Sequence, residues 1–306
     1  MSDPLRLDGR VAIVTGAARG LGRAYALALA QAGARIVVND SSGEGATETA
    51  ELIAAAGGEA VAQAGSVAET AVAQELVALA VERFGRLDIM CTNAGVLRDR
   101  VLWKMSDEDF DTVIAVHLRG TFLCARAAAI HMREQGEGGR IIVVGSPAGQ
   151  RGNFGQTNYA AAKAGITAFA RTWALELARA QITVNALIPT AWSAMTASIP
   201  AYASLVDLVE RGEALPAVVR QEHAVGMPEE VAPLVVFLAS DAAAGVSGQC
   251  VALGGDRLAL WSYPEEVVVE LREGGWTVEQ IAEVWPRRFA PALAAYGIDF
   301  AAFELD

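Results

Sequence analysis

The chain has 306 residues, 53% of them hydrophobic, and a net charge of −12 from 24 basic and 36 acidic residues. That length suits one large α/β domain or two small ones, the apolar share excludes disorder, and the acidic balance argues against a nucleic-acid partner while leaving room for a local basic patch. Cys91, Cys124 and Cys250 are too scattered for a disulfide framework or zinc, no apolar run reaches the ~18–20 uncharged residues of a membrane span, and no basic-then-apolar secretory signal opens the chain.

Val11 to Thr15 predicts a short strand, followed by Thr15-Gly-Ala-Ala-Arg-Gly-Leu-Gly22 and a helical Ala/Leu run to Ala32. Strand, glycine turn and helix make a phosphate-binding geometry, because glycine lets the backbone approach a pyrophosphate and the helix N-terminus faces the anion. Gly16, Arg19, Gly20, Leu21 and Gly22 are the candidate contacts; a purely structural turn is the competing reading. The next strand, Ala34 to Asn39, ends in Asp40, eighteen residues after Gly22. That is near the ~20-residue offset of an acid that binds the ribose hydroxyls of adenosine. Glu44 to Ala56 reads as a helix, Glu59 to Ala64 as a strand, and Ala68 to Phe84 as a helix. Leu87 to Cys91 is a strand running into Thr92-Asn93-Ala94-Gly95.

Asp107 begins a helix to about Gln135, with His117 inside it. A lone histidine on a mostly apolar helix reads as a satisfied core residue or as a functional one. Arg140 to Val144 is an apolar run where a strand ends just before Ser146. Tyr159 and Lys163 stand four apart, on one face of a helix supported by Ala-rich periodicity from Ala160 to Ala178. An ammonium beside a phenol favours the phenolate by about 1–3 pKa units. A phenol that ionises near ~10 then exchanges protons with an alcohol or ketone close to neutral pH. Ile182 to Ile188 is a strand ending in Pro189, and the loop continues through Thr190, Ala191, Ser193, Met195 and Thr196. Residues 198–226 mix apolar side chains (Ile199, Tyr202, Leu205, Val209, Leu215, Val218) with charge, which suits either a mobile lid or a plain packed helix pair. Pro228 to Ala239 is a helix, and Gln249 to Leu253 is expected as the last strand. Two capping-box patterns, Ser262-x-x-Glu265 and Thr277-x-x-Gln280, predict two short helices in the tail. Trp261, Trp276 and Trp285 suggest that this tail packs down, and it is too small for a core of its own. Strands alternating with helices argue a doubly wound parallel α/β sheet of Rossmann type, with residues 1–260 as one domain, a lid at about 190–228, and a helical extension at 261–306.

Ser146, thirteen residues before Tyr159, with Lys163 beyond, resembles the active site of the short-chain dehydrogenase/reductase family. The glycine spacing, Asn93-Ala94-Gly95 and Pro189 agree with it, over residues 7 to about 256. The resemblance implies Tyr159 as acid/base, Lys163 as the group that lowers its pKa and holds the nicotinamide ribose, and Ser146 as the group that orients the substrate oxygen. It places His117 where most members have the asparagine of a catalytic tetrad. It implies cofactor contacts from Ser66 and Val67, where the family usually has Asp-Val, from Asn93, Ala94 and Gly95, and from Pro189 and Ala191. Asp40 favours NAD over NADP, although Arg19 in the glycine loop pulls the other way. No metal is implied.

Shorter motifs, Arg98-Asp99-Arg100, Val116-His-Leu-Arg-Gly120, Gly152-Asn-Phe-Gly-Gln156 and Val231-Ala-Pro-Leu234, are similar to the (3R)-hydroxyacyl-CoA dehydrogenase unit of peroxisomal multifunctional enzyme type 2. They imply a hydrophobic alcohol or ketone substrate, a (3R)-hydroxyacyl-CoA; Arg98, Arg100, Arg119 and Arg151 are candidate phosphate contacts for it, or ordinary surface arginines and ion-pair partners. A hydroxysteroid dehydrogenase, a 3-oxoacyl reductase and a non-catalytic dinucleotide-binding regulator stay open. A homodimer or homotetramer through the long helices, no membrane partner and a cytoplasmic location complete the expectation.

Overall fold

The computed structural model describes residues 3–197 and 200–298. Eight short segments pair into one sheet: β1 (Val11–Thr15), β2 (Arg35–Asp40), β3 (Ala60–Ala64), β4 (Ile89–Thr92), β5 (Gly139–Val144), β6 (Ile182–Pro189), β7 (Cys250–Gly254) and β8 (Arg257–Leu260). Their order is β3-β2-β1-β4-β5-β6-β7-β8. All neighbours are parallel except β7 and β8, which are antiparallel. The central strands are buried on both faces, which is why they read as unbroken apolar runs and not as alternating ones. The doubly wound α/β expectation is met.

Helices cover both faces. On one side α1 (Gly20–Gln31), α2 (Gly43–Ala55) and α11 (Pro228–Ala239) bury Tyr25, Leu29, Ile53, Val235 and Leu238 against the sheet. On the other side α3 (Thr70–Phe84), α5 (Gly120–Gln135) and α7 (Thr157–Leu177) bury Leu76, Leu123, Met132, Ile166 and Ala170. Each fully buried Leu or Ile contributes roughly 1.5–3 kcal/mol, so these two layers dominate the stability of the domain. The short helices α4 (Asp107–Val113) and α6 (Pro147–Arg151) precede α5 and α7, and α8 (Ala194–Ala197), α9 (Val206–Glu210) and α10 (Ala217–Gln221) lie in the segment expected to form a lid or a packed helix pair.

The structure departs from the sequence expectation at four points. Asp107 to Gln135 is helical throughout, but one π turn, Ile114–Arg119, interrupts it. These 29 residues are long and apolar enough by composition to cross a bilayer; α5 instead commits Leu123, Cys124, Ala128 and Met132 to the sheet core. The strand expected to be last is followed by β8, because Gly255 and Asp256 turn the chain back antiparallel along β7.

The lid segment is neither a single helix pair nor a loose loop. Trp192, Tyr202, Leu205, Leu215, Val219 and Val225 form a small core of their own, and Ile199 lies outside the described residues. At the base of this body Ala191 bridges to Gly226 and the Trp192 N–H donates to the Gly226 carbonyl at 2.7 Å. Arg220 ties it down further, donating to Glu230 at 2.6 and 3.1 Å and to Asp256 at 2.7 and 2.9 Å.

The tail forms one of its two expected helices. α12 (Val278–Arg288) starts at the Thr277–Gln280 capping box. The Ser262 pattern starts no helix. Val267, Val268 and Val269 are β-branched and resist helix, and the Tyr263 side chain is occupied by the lead-in to β7, donating to the Gly248 carbonyl and accepting from Gln249 at 3.1 Å. Trp261 packs on the core, but Trp276 and Trp285 are 37% and 45% exposed and α12 has no buried residue. Within one chain α12, with Trp276 and Trp285, is therefore left largely exposed, while Trp261 packs on the domain. Residues 299–306 lie outside the described residues.

Candidate active site

In an open α/β sheet, ligands bind beyond the carboxyl ends of the strands, where the strand order reverses. Here that point lies between β1 and β4. Gly16 turns the chain at the tip of β1 with φ +65°, and a Cβ there would stand 2.5 Å from the Ala94 Cα; only glycine fits. Asn93 pins the two tips together, donating from its side chain to the carbonyls of Thr15 (3.1 Å) and Gly16 (3.0 Å). The Thr15 hydroxyl accepts from the backbone N–H groups of Asn93 (3.1 Å) and Ala94 (3.2 Å). Thr15 is a site-building residue that sequence reasoning missed, since a hydroxyl at a strand end carries no distinguishing pattern.

α1 starts in the same turn. It has no side-chain cap and no acid in its first turn, so its N-terminal N–H groups and positive dipole end are left for an anion. Arg19 and Gly20 are exposed there, Gly22 is buried against the turn, and Leu21 packs towards the core. A Cβ on Gly20 would meet nothing within 4 Å, so the turn is open at this point beside the helix N-terminus. Asp40, at the end of β2, is held facing this turn: its carboxylate accepts from the N–H groups of Ala18 and Ser42, both at 3.0 Å. Ser66 accepts from the Ala68 N–H at 3.3 Å and the Val67 side chain is buried, so beside β3 the structure offers a hydroxyl and backbone groups. These residues fit a dinucleotide, with Asp40 at the ribose and the turn at the phosphates. No cluster of three or more metal-ligating side chains occurs among the described residues.

Ser146, Tyr159 and Lys163 converge at the next strand tip. Ser146 follows β5 and caps α6, its Oγ accepting from the Ala148 N–H at 3.2 Å. The Tyr159 phenol is buried on the same side, close enough to the Ser146 hydroxyl for it to lower the phenol's pKa. Asn158, fully buried, accepts from the Tyr159 N–H at 2.7 Å and donates to the carbonyls of Arg98 (3.1 Å) and Asp109 (3.0 Å), which locks the start of α7. Lys163 lies one helical turn on, its Nζ donating to the Val144 carbonyl at 2.6 Å and standing 5.6 Å from the Tyr159 ring centre.

The electrostatics differ from the sequence expectation. Burial holds the Tyr159 phenol above its ordinary pKa, the Ser146 hydroxyl pulls it down, and Asp99 adds a smaller upward push. Burial also lowers Lys163 to about 7. Desolvation is the leading cause for both groups, and the lysine is turned to the Val144 carbonyl.

His117 sits in the π turn and is buried. Its ring stands edge-on to Tyr159 with centroids 5.1 Å apart. Its Nε2 lies 2.8 Å from the Val96 carbonyl and 3.0 Å from the Val96 N–H, while its Nδ1 has no partner among the described residues. Burial first, then the Lys163 charge, lowers its pKa to about 3, so the ring is neutral. It does not hydrogen-bond Lys163; it clamps the loop after β4. A Cβ on Gly95 would stand 2.2 Å from the ring, so the histidine and this glycine are sterically coupled.

Pro189 ends β6, and Ala191, buried at the base of the lid, accepts from the Thr196 hydroxyl at 2.6 Å. Val96, Leu97, Val113 and Ala148 make an apolar wall beside Tyr159, and Ile298 from the tail packs onto it. The Gly297 N–H donates to the Arg151 carbonyl at 2.8 Å. The return of the tail to this wall was not legible from local sequence.

A dinucleotide cradle and a serine–tyrosine–lysine cluster on one sheet edge define an oxidoreductase site of the nicotinamide-dependent class. The chain belongs to the short chain dehydrogenase family, whose model matches residues 10–201. It is an oxidoreductase acting on CH–OH groups of a small-molecule substrate with a nicotinamide dinucleotide cofactor. It is 47% identical over 270 residues to hydroxyacyl-CoA dehydrogenase ChsB1 of Mycobacterium tuberculosis, covering 84% of this chain and 81% of that protein. It is 40% identical over 297 residues to peroxisomal multifunctional enzyme type 2 of Mus musculus, covering 94% of this chain but only 37% of that longer one. Among solved structures, a short chain dehydrogenase from Mycobacterium avium superposes with a TM-score of 0.78 at 39% identity, over 92% of this chain and 94% of that one.

Proposed function

We propose that the chain oxidises a (3R)-hydroxyacyl-CoA to the 3-ketoacyl-CoA with NAD, and the observation that carries the reading is the buried phenol of Tyr159, grouped with Ser146 and Lys163 beside an apolar wall. The glycine turn and Asp40 would hold the dinucleotide, which would supply the hydride acceptor for the carbinol carbon. Ser146 holds the substrate oxygen, and Tyr159 takes the hydroxyl proton as the carbonyl forms. Lys163, with a pKa of about 7, supplies a positive charge near the phenol at neutral pH and below. Neutral His117 positions the Val96 wall instead of carrying the proton.

Asp40 supports NAD: its carboxylate, fixed by two backbone donors, accepts the ribose hydroxyls and repels a 2′-phosphate. The relatives' names and the apolar wall support an acyl thioester. The half-buried aromatic face of α5 and α7, where Phe169 stacks on Trp173 and Arg126 covers Phe122, supports a homodimer or homotetramer through these helices, and a cytoplasmic location agrees with a chain of this composition.

The test is Tyr159→Phe, which keeps the ring and removes the transferable proton. Its kcat should fall ~10²–10⁴-fold while the NAD dissociation constant stays nearly unchanged; a near-normal kcat overturns the assignment. The substrate is tested by assaying 3-hydroxyacyl-CoA thioesters beside 17-hydroxysteroids, and turnover of steroids alone overturns the acyl-CoA reading.

A further inference from the structure

The segment after β4 leaves the active site and ends in solvent. Leu97 packs on the Tyr159 wall, and an extended chain covers at most ~3.3–3.6 Å per residue, so Trp103 lies within about 20 Å of that wall. The segment is pinned rather than loose. Arg100 bridges to Gln156 and donates its N–H to the Gly155 carbonyl at 2.8 Å. The Gln156 side chain donates to Asp99 at 2.7 Å, and Asn158 donates to the Arg98 carbonyl.

The resulting ledge carries two features the reaction does not use. Trp103 and Phe154 are 76% and 83% exposed. The same two segments carry Arg98, Arg100, Lys104 and Arg151, none with a carboxylate partner among the described residues: the side chains of Arg98 and Arg100 each donate only to a neighbouring backbone carbonyl, at 2.8 Å, and Arg151 lies over Trp261. Yet the chain has 36 acids for 24 bases. Asp99 is occupied by Gln156, and Asp107, Glu108 and Asp109 stand in the first turn of α4, where the helix dipole favours them. Arg119, grouped with these arginines in the sequence reading, is elsewhere: it donates to the Ala68 carbonyl and to Thr70 at the start of α3.

We infer that this ledge is the landing site for the phosphorylated adenine nucleotide end of the acyl-CoA substrate. Unpaired guanidinium groups bind phosphate by charge-assisted hydrogen bonds, and an exposed indole or phenyl face stacks on a purine. A thioester held with its carbinol at Tyr159 would run out along residues 97–104 and reach both. The ledge is built from the segments that follow β4 and β5, whereas Asp40 and the adenosine end of the dinucleotide belong to β2, two strands away from β4. The inference rests on the acyl-thioester reading above.

The experiment compares full CoA thioesters with their pantetheine-truncated analogues in the wild type and in R98Q/R100Q, and titrates adenosine 3′,5′-bisphosphate against Trp103 fluorescence using Trp103→Phe as the reference. In the wild type the CoA thioester should have the lower KM by about tenfold, a gap that R98Q/R100Q closes, as does moderate salt. Adenosine 3′,5′-bisphosphate should quench the Trp103 signal and compete with the CoA thioester but not with NAD. An unchanged KM gap in R98Q/R100Q, or competition with NAD alone, overturns the ledge while leaving the acyl-thioester reading intact. A KM dependent on Arg98 and Arg100 for an acyl-carrier-protein substrate but not for CoA also overturns it, in favour of an acidic protein partner. Should neither thioester turn over, the functional reading fails by itself, and the fluorescence titration still decides the ledge.

Discussion

His117 makes the acid stability of this protein a quantitative test of its burial. The folded state holds the imidazole at a pKa of about 3 against an ordinary 6.5. Because the folded pKa of this base is depressed, the unfolded chain binds the extra proton between pH 6.5 and 3, and stability falls as pH falls through that window. Each unit is worth about 1.4 kcal/mol, so at pH 5 the histidine should cost about 2 kcal/mol relative to pH 7. Asparagine at 117 does not titrate and can still pair with the Val96 backbone. Lys163 does not enter this window: its folded pKa near 7 against 10.5 makes stability rise between pH 7 and 10.5. Urea unfolding of wild type and His117→Asn at pH 7 and pH 5, extrapolated to water, gives the difference directly. The wild type should lose about 2 kcal/mol more than the variant; equal losses would show that the ring is solvated or already charged, and the clamp on Val96 would have to be abandoned.

Three further outcomes are expected. Replacing Asp40 by serine should raise NADP use relative to NAD by about tenfold, the scale of removing a like-charge repulsion at short range, and a wild-type KM ratio favouring NADP would refute the role of this carboxylate. The Tyr25 hydroxyl is fully buried with no partner among the described residues, so Tyr25→Phe should be as stable as wild type or up to about 2 kcal/mol more so in thermal unfolding; a loss of stability would reveal a bond the structure does not contain. Truncation after Leu260 removes Ile298 from the Tyr159 wall and should change KM, thermal stability or oligomeric mass; a truncated protein matching the full chain in all three would make the tail dispensable.

What was legible in the sequence is what local rules encode. Gly16, Asp40, Ser146, Tyr159 and Lys163 announce themselves because each occupies a fixed place relative to a strand end or a helical turn. The second tail helix was readable because Thr277 and Gln280 bond each other's backbone groups. What failed depends on partners distant in sequence. The short, mostly exposed strand Arg257–Leu260 exists only because β7 offers an edge. Ser262 carries the same capping letters as Thr277, but Tyr263 is held by Gly248 and Gln249 before a helix can start. The Tyr159 pKa is set by desolvation, a property of the packed site, whereas the sequence shows only the neighbouring lysine.

The π turn has a consequence for how the long central helix can vary. A π turn closes with i→i+5 bonds, so it accommodates one residue more than the α-helical ladder would, and the sequence spacing that marks a face is offset from one side of it to the other. Val113, before the turn, faces the Tyr159 wall, whereas Leu123, Cys124 and Met132, after it, face the sheet. One uninterrupted apolar stripe would serve only one of these two surfaces. The turn thus takes up the spare residue, and a single rod serves as a catalytic wall at one end and a structural beam at the other. Deleting one residue from 114 to 119 would let the turn close with ordinary α-helical bonds and leave both flanks on their present faces, so the change would fall on the turn itself, on His117 and its hold on Val96.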